Sequence, residues 1–168
     1  DPSFFEYEID NHNNNNENID EILYNLILKD EIDNFQNYLS KYELTNNSTI
    51  DLDKITSLHF FPKGFKIHFI DLASYLASIQ IFKYLYLSKC EITEQTFSYA
   101  MYGGSSEIIH ILEEKKEKMN FQLNSNHLII SIQTHQPDII KYIIDDIGNE
   151  CITPEVISQS IEFYNLDF

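Results

Sequence analysis

A short apolar phrase returns along this chain. It reads Ile81-Phe82-Lys83-Tyr84-Leu85, then Ile108-Ile109-His110-Ile111-Leu112, then Ile139-Ile140-Lys141-Tyr142-Ile143, with starts 27 and 31 residues apart. In each phrase the residues at i, i+1 and i+4 share one side of a helix, while the third position faces away. A helix that buries one side in this way, repeated at a period of 20–50 residues, cannot complete a core alone and must stack on its neighbours. The pattern therefore points to a repeat protein whose elongated surface binds other proteins, and it does not identify the partner.

The same periodicity extends to the N-terminal side. Ile19, Ile22, Leu23, Leu26 and Ile27 form an i, i+3, i+4, i+7, i+8 stripe, and Ile32, Phe35, Tyr38, Leu39 and Tyr42 form a second one after the break at Asp30-Glu31. These predict an antiparallel helix pair over 19–42. Further helices are predicted at 70–76, 79–87, 96–102, 106–118, 128–134, 138–147 and 155–164. Thr93 and Thr153 stand where an N-cap oxygen is needed, and Pro137 and Pro154 suit a first helical position. Residues 45–66 break the rhythm: Asn46 to Thr49 is turn-like, Pro62 and Gly64 stop any helix, and a short helix is expected at 52–60. The Asn-rich stretch around Asn13 to Asn16 reads as a tether. The organisation predicted is an acidic, Asn-rich segment over 1–18 and a repeat domain over 19–168. The domain comprises the helix pair 19–42, the insert 45–66, repeats at 67–93, 94–124 and 125–152, and a partial repeat at 153–168.

Composition narrows the class. With 43% hydrophobic residues and only four Gly and four Pro, the chain has material for a core but few of the turns that sandwiches and barrels require. Its formal charge is −16, and every one of its positive residues is Lys. Such a chain repels phosphate backbones and anionic lipid surfaces, so neither nucleic acid nor membrane is expected as a partner. The acidity serves solubility or steers a basic partner. Cys90 and Cys151 are too few for a disulfide scaffold and are expected as free thiols of a reducing, cytoplasmic setting. No apolar run approaches the ~20 residues needed to span a bilayer. Asn46 and Asn47 both start glycosylation acceptor patterns, which mean little in an Asn-rich cytosolic chain. The chain begins at Asp1 and ends at Phe168, and it reads as a piece of a longer polypeptide.

Motifs that carry chemistry are missing. Glu107 and His110 have the spacing of a di-iron helix, but no second pair exists and His110 falls at an outward position. No zinc or calcium spacing occurs, and His59, His68 and Cys90 do not form one. Gly103-Gly104-Ser105-Ser106 has no phosphate-loop Lys and reads as a turn. There is no nucleophile elbow. The acidic pairs Glu113-Glu114 and Asp145-Asp146 lie on exposed faces or helix ends. No enzyme activity, cofactor, metal or small-molecule substrate is expected.

The units resemble those of the ankyrin-repeat family. Phe97, Ala100, Gly104, Ile108, Ile109 and Leu112 fall at the matching positions of one unit. Ile70, Ala73, Ala77, Ile81, Phe82 and Leu85 do so in the unit before, and Leu128, Ser131, His135, Ile139, Ile140 and Ile143 in the unit after. Ile157, Ser160, Tyr164 and Phe168 match the last, and the pair over 19–42 fits only loosely. No unit keeps the full Thr-Pro-Leu-His turn, Gly at the inner turn remains only at Gly104, and the period falls short of the usual ~33 residues. The resemblance, to divergent members of the family, implies an all-α, ankyrin-like helical-hairpin solenoid with inter-repeat β-hairpins short or absent. It also implies a protein partner bound on the concave face and loops, which carries over to Tyr75, Tyr102 and Gln133, with Tyr99 added. The competing possibility is that these tyrosines merely pack between units. Phe168 would open a second helix, so further repeats or a partner are expected to cover that flank. An architectural part of a larger assembly, such as a cytoskeletal one, is the alternative function.

Overall fold

A computed structural model describes residues 18–56, 63–116 and 121–163. Among them the chain forms α1 (Ile19–Leu28), α2 (Ile32–Lys41), α3 (Phe69–Tyr75), α4 (Ile79–Leu87), α5 (Glu94–Gly103), α6 (Ser106–Lys116), α7 (Ser125–Gln133), α8 (Pro137–Ile147) and α9 (Pro154–Glu162). The fold is all-α and built from helical hairpins. The expected helix at 52–60 is not formed over its described part. There a 3-10 turn, Leu52–Lys54, follows a strand β1 (Thr49–Asp51), which pairs antiparallel with β2 (Lys66–His68), Ile50 opposite Ile67. Ile50 and Ile67 are both buried, so alternation over three residues was enough to make strands once one face met the helices. The Asn-rich tract, His59, Tyr164 and Phe168 lie outside the described residues.

Each hairpin turns the same way. Asp30, Ala77, Gly104 and His135 have φ of 55°, 56°, 71° and 53°, the left-handed conformation that closes a helix. At Ala77 the N–H groups of Ala77 and Ser78 donate to the carbonyls of Ser74 and Ala73, and His135 and Gln136 repeat this with Ile132 and Ser131. One of these four positions, Ala77, carries a side chain with no αL preference, so there the turn is held by the packing of the two helices rather than by the residue in it.

The first helices of the pairs stack in one row, α1 on α3, α3 on α5, α5 on α7 and α7 on α9. The second helices form a parallel row, α2 on α4 and α4 on α6. Lys116 of α6 continues that row to Asp146 of α8 with an ion pair of 2.7 Å. The small residue of each unit is enclosed within the first row: Ala73, Ala100 and Ser131 are wholly buried and Ser160 nearly so. The recurrent phrases supply the seam between the rows. Ile81, Phe82 and Leu85, Ile108, Ile109 and Leu112, and Ile139, Ile140 and Ile143 are all buried in one continuous cluster. Each such side chain contributes about 1.5–3 kcal/mol. His110 faces solvent as its position required, and its Nδ1 lies 3.0 Å from Glu113.

The insert is tied down by α1. Asp20 accepts the N–H of Asp51 at 3.0 Å and holds the Lys54 ammonium at the same distance. This anchoring sets Leu52 and Phe65 beside the first row of helices.

Candidate functional site

The N-cap register of the first row places the side chains between helices. In α5 the Thr93 N–H donates to Thr96 Oγ1 at 3.1 Å, and Thr96 Oγ1 donates in turn to the buried carboxylate of Asp71 in α3 at 2.6 Å. Asp71 occupies in its unit the position that Thr96, His127 and Val156 occupy in theirs, three residues after the N-cap. Burial pushes its carboxyl above the ordinary range, against the Thr96 hydrogen bond and His68, which pull it down.

The close approach of α3 and α5 depends on Gly103. A Cβ there would stand 2.3 Å from the carbonyl oxygen of Ser74 and 2.7 Å from that of Tyr75. With no side chain in the way, the C-terminal turns of both helices meet and their tyrosines converge. Tyr75 stands edge-on to Tyr99, with ring centroids 6.2 Å apart, and 6.1 Å from Tyr102. Tyr24 reaches the same place from α1, and Leu72, Phe65, Leu52 and Ile67 complete the lining of a groove of about 420 Å³.

Within this groove Tyr24 is nine-tenths buried, Tyr99 is half-buried, and Tyr75 and Tyr102 are 43% and 40% exposed. None of the four hydroxyl groups has a hydrogen-bond partner among the described residues. Buried tyrosine hydroxyls usually find one. The Tyr24 hydroxyl is pushed up by burial and by Tyr75, and that of Tyr99 by burial, then Asp71 and Tyr102. Tyr24 and Tyr99 are thereby held in the neutral form, and a tyrosine hydroxyl can both donate and accept a hydrogen bond.

Three of the four residues singled out from the sequence thus meet in one place. Gln133 does not join them: it lies in α7, half-buried, and its Nε2 donates to Gln159 of α9 at 2.8 Å. Tyr24, Phe65, Leu52, Ile67 and Leu72 were missed. Tyr24 sits beside Leu23 in an apolar stripe, and nothing in local spacing separates a groove tyrosine from a core one.

A second depression, by α5 and α7, contains a Ser–His pair, Ser98 Oγ and His127 Nε2, 3.4 Å apart. It is not a nucleophile and base. His127 Nδ1 accepts the Asn124 N–H at 3.2 Å, so in the neutral ring Nε2 carries the proton and donates to Ser98. Ser98 in turn donates to the Glu94 carbonyl at 3.3 Å. Burial lowers the pKa of His127, which favours this neutral form. Among the described residues no group of His, Cys, Asp and Glu side chains could hold a metal ion, and no helix is long and apolar enough to cross a membrane. Cys90 and Cys151 are free and buried.

Residues 87–168, from the end of α4 onward, match the model of a family described as a domain of unknown function (DUF3447). No curated protein and no solved structure matches the chain.

Proposed function

We propose that the chain is an ankyrin-like protein-binding module without catalytic activity, and that its partner docks in the tyrosine groove between α1, α3 and α5. The observation that carries this reading is the convergence of Tyr24, Tyr75, Tyr99 and Tyr102 with no hydroxyl partnered among the described residues. Tyrosine gives large contact area at low entropic cost and is enriched where partners bind. The ankyrin-like assignment is supported by the left-handed turns at equivalent positions and the two stacked rows of helices. Free buried thiols fit a reducing, cytoplasmic setting. The excess of negative charge argues against nucleic acid as the partner. The test is capture of partners from a lysate by the chain and by Tyr75→Ala with Tyr102→Ala. Loss of capture with the thermal midpoint nearly unchanged supports the reading. Unchanged capture refutes it, and a large drop in the midpoint places the two rings in the core.

One observation favours the architectural alternative. Ile157 and Ile161 of α9 are 47% and 60% exposed, whereas Leu128 and Ile132, their equivalents in α7, are wholly buried by the following unit. An assembly would cover that flank. Concentration-dependent self-association in sedimentation, abolished by Ile157→Glu with Ile161→Glu, would support this second role.

A further inference from the structure

Elsewhere on this molecule, three half-buried tyrosines are faced by the chain's own lysines. Lys41 Nζ lies 5.5 Å from the ring centre of Tyr38 and 4.9 Å from that of Tyr42, and Lys115 Nζ lies 5.6 Å from Tyr86. A cation over an aromatic face is attracted by the ring's quadrupole, and the attraction grows as water is removed. The four groove tyrosines carry no such cation among the described residues, although they converge on one cavity large enough for a side chain.

Three further features favour a positive guest over a neutral one. The Tyr75 ring is perpendicular to Tyr99 and tilted 54° to Tyr102, so the rings do not stack into a single flat surface but present faces and edges in different directions. The free hydroxyl oxygens can accept hydrogen bonds from ammonium or guanidinium N–H groups. The Asp71 carboxylate acts electrostatically on Tyr99, and the chain as a whole is strongly acidic, which draws a basic segment toward it.

From the geometry we infer that the groove between α1, α3 and α5 holds a cationic side chain, lysine (free or methylated) or arginine, from a basic segment of the protein partner. This rests on the protein-binding reading above and specifies its chemistry. The groove's apolar floor takes the aliphatic stem, and the tyrosine faces and hydroxyls take the charged head.

The probe is tetramethylammonium chloride, a bare cation head, titrated at constant ionic strength into the full chain and followed by NMR of the tyrosine rings. Neopentyl alcohol, neutral and of similar shape, is the control. The expected result is a saturable shift of the Tyr75, Tyr99 and Tyr102 ring signals, with the alcohol bound at least about tenfold more weakly. Tyr99→Phe, which keeps the ring, retains binding, and Tyr99→Leu loses it by about tenfold or more. Tyr102→Leu, at a more exposed position, gives the same loss if Tyr99→Leu does not fold. Equal binding of the alcohol overturns the inference while leaving a protein-binding groove of apolar specificity. Absence of any saturable shift with the cation also overturns it. The lysate experiment decides separately whether the groove binds a partner at all.

Discussion

The carboxylate of Asp30, in the turn after α1, accepts the backbone N–H of Ile81 at 2.9 Å, and its second oxygen accepts that of Gln80 at the same distance. Asp30 is thus the cap of a helix fifty residues away. The residue in the N-cap position of α4, Ser78, gives its hydroxyl instead to the Ile27 carbonyl of α1 at 2.6 Å. The first two hairpins exchange capping groups, which locks them together across the insert.

Asp30→Ala removes both acceptors and puts alanine in a left-handed turn. The expected cost is about 1–3 kcal/mol, measured as a lower midpoint in urea. Asp30→Asn keeps one acceptor and a residue that tolerates the conformation, so it loses less than half as much. Equal losses in the two variants would show that the charge at the α4 N-terminus, not the hydrogen bond, is what matters.

Gly103→Ala tests the close approach on which the groove depends. Alanine gains helix propensity, but its methyl would meet two backbone carbonyls that cannot move aside cheaply. The expected net effect is a destabilisation of about 1–3 kcal/mol, together with altered ring signals for Tyr75 and Tyr102. A more stable protein with unchanged rings would refute the packing described for α3 and α5.

Asp71→Asn should raise stability at neutral pH. The native state holds the Asp71 proton more tightly than the unfolded chain does, because burial penalises the charge. Its charged form therefore disfavours folding at neutral pH, and the penalty fades as pH falls through the raised value. Asparagine keeps an oxygen for Thr96 without the charge. Thermal scans should show the variant melting above the parent at pH 7 and the gap closing toward pH 3. A lower midpoint at pH 7 would mean that the charged hydrogen bond to Thr96 outweighs the burial.

Leu128→Ala and Ile157→Ala change equivalent positions of neighbouring units. The first empties a site with no solvent exposure and should cost about 2–5 kcal/mol. The second acts on a half-exposed side chain and should stay within about 1 kcal/mol. Similar losses from both would show that Ile157 is covered in solution.

Much of the fold was legible in the sequence because the repeat states it several times. The bounds predicted for α4 match those of the structure, and those of the other helices differ by a few residues at one or both ends, since the same i, i+1, i+4 pattern must be buried in every unit. The caps at Thr93 and Thr153 and the Pro starts at 137 and 154 were local signals and read correctly. The strand pair at Thr49–Asp51 and Lys66–His68 was not readable. Three-residue strands carry too little alternation, and their partner lies across an insert.

The aromatic groove divides in the same way. Tyr75 and Tyr102 could be singled out because they fall at repeat positions, and Tyr99 was added to them. Tyr24 and Phe65 could not, since they come from the loosely matching first pair and from the insert. By itself the sequence determined the helices, their inward faces and the presence of a stacked hydrophobic seam, because period and polarity are written residue by residue. Only the tertiary structure decided which tyrosines share one cavity and which helix each turn caps. Those relations depend on how closely two backbones approach, and that distance is set by contacts between residues far apart in the chain.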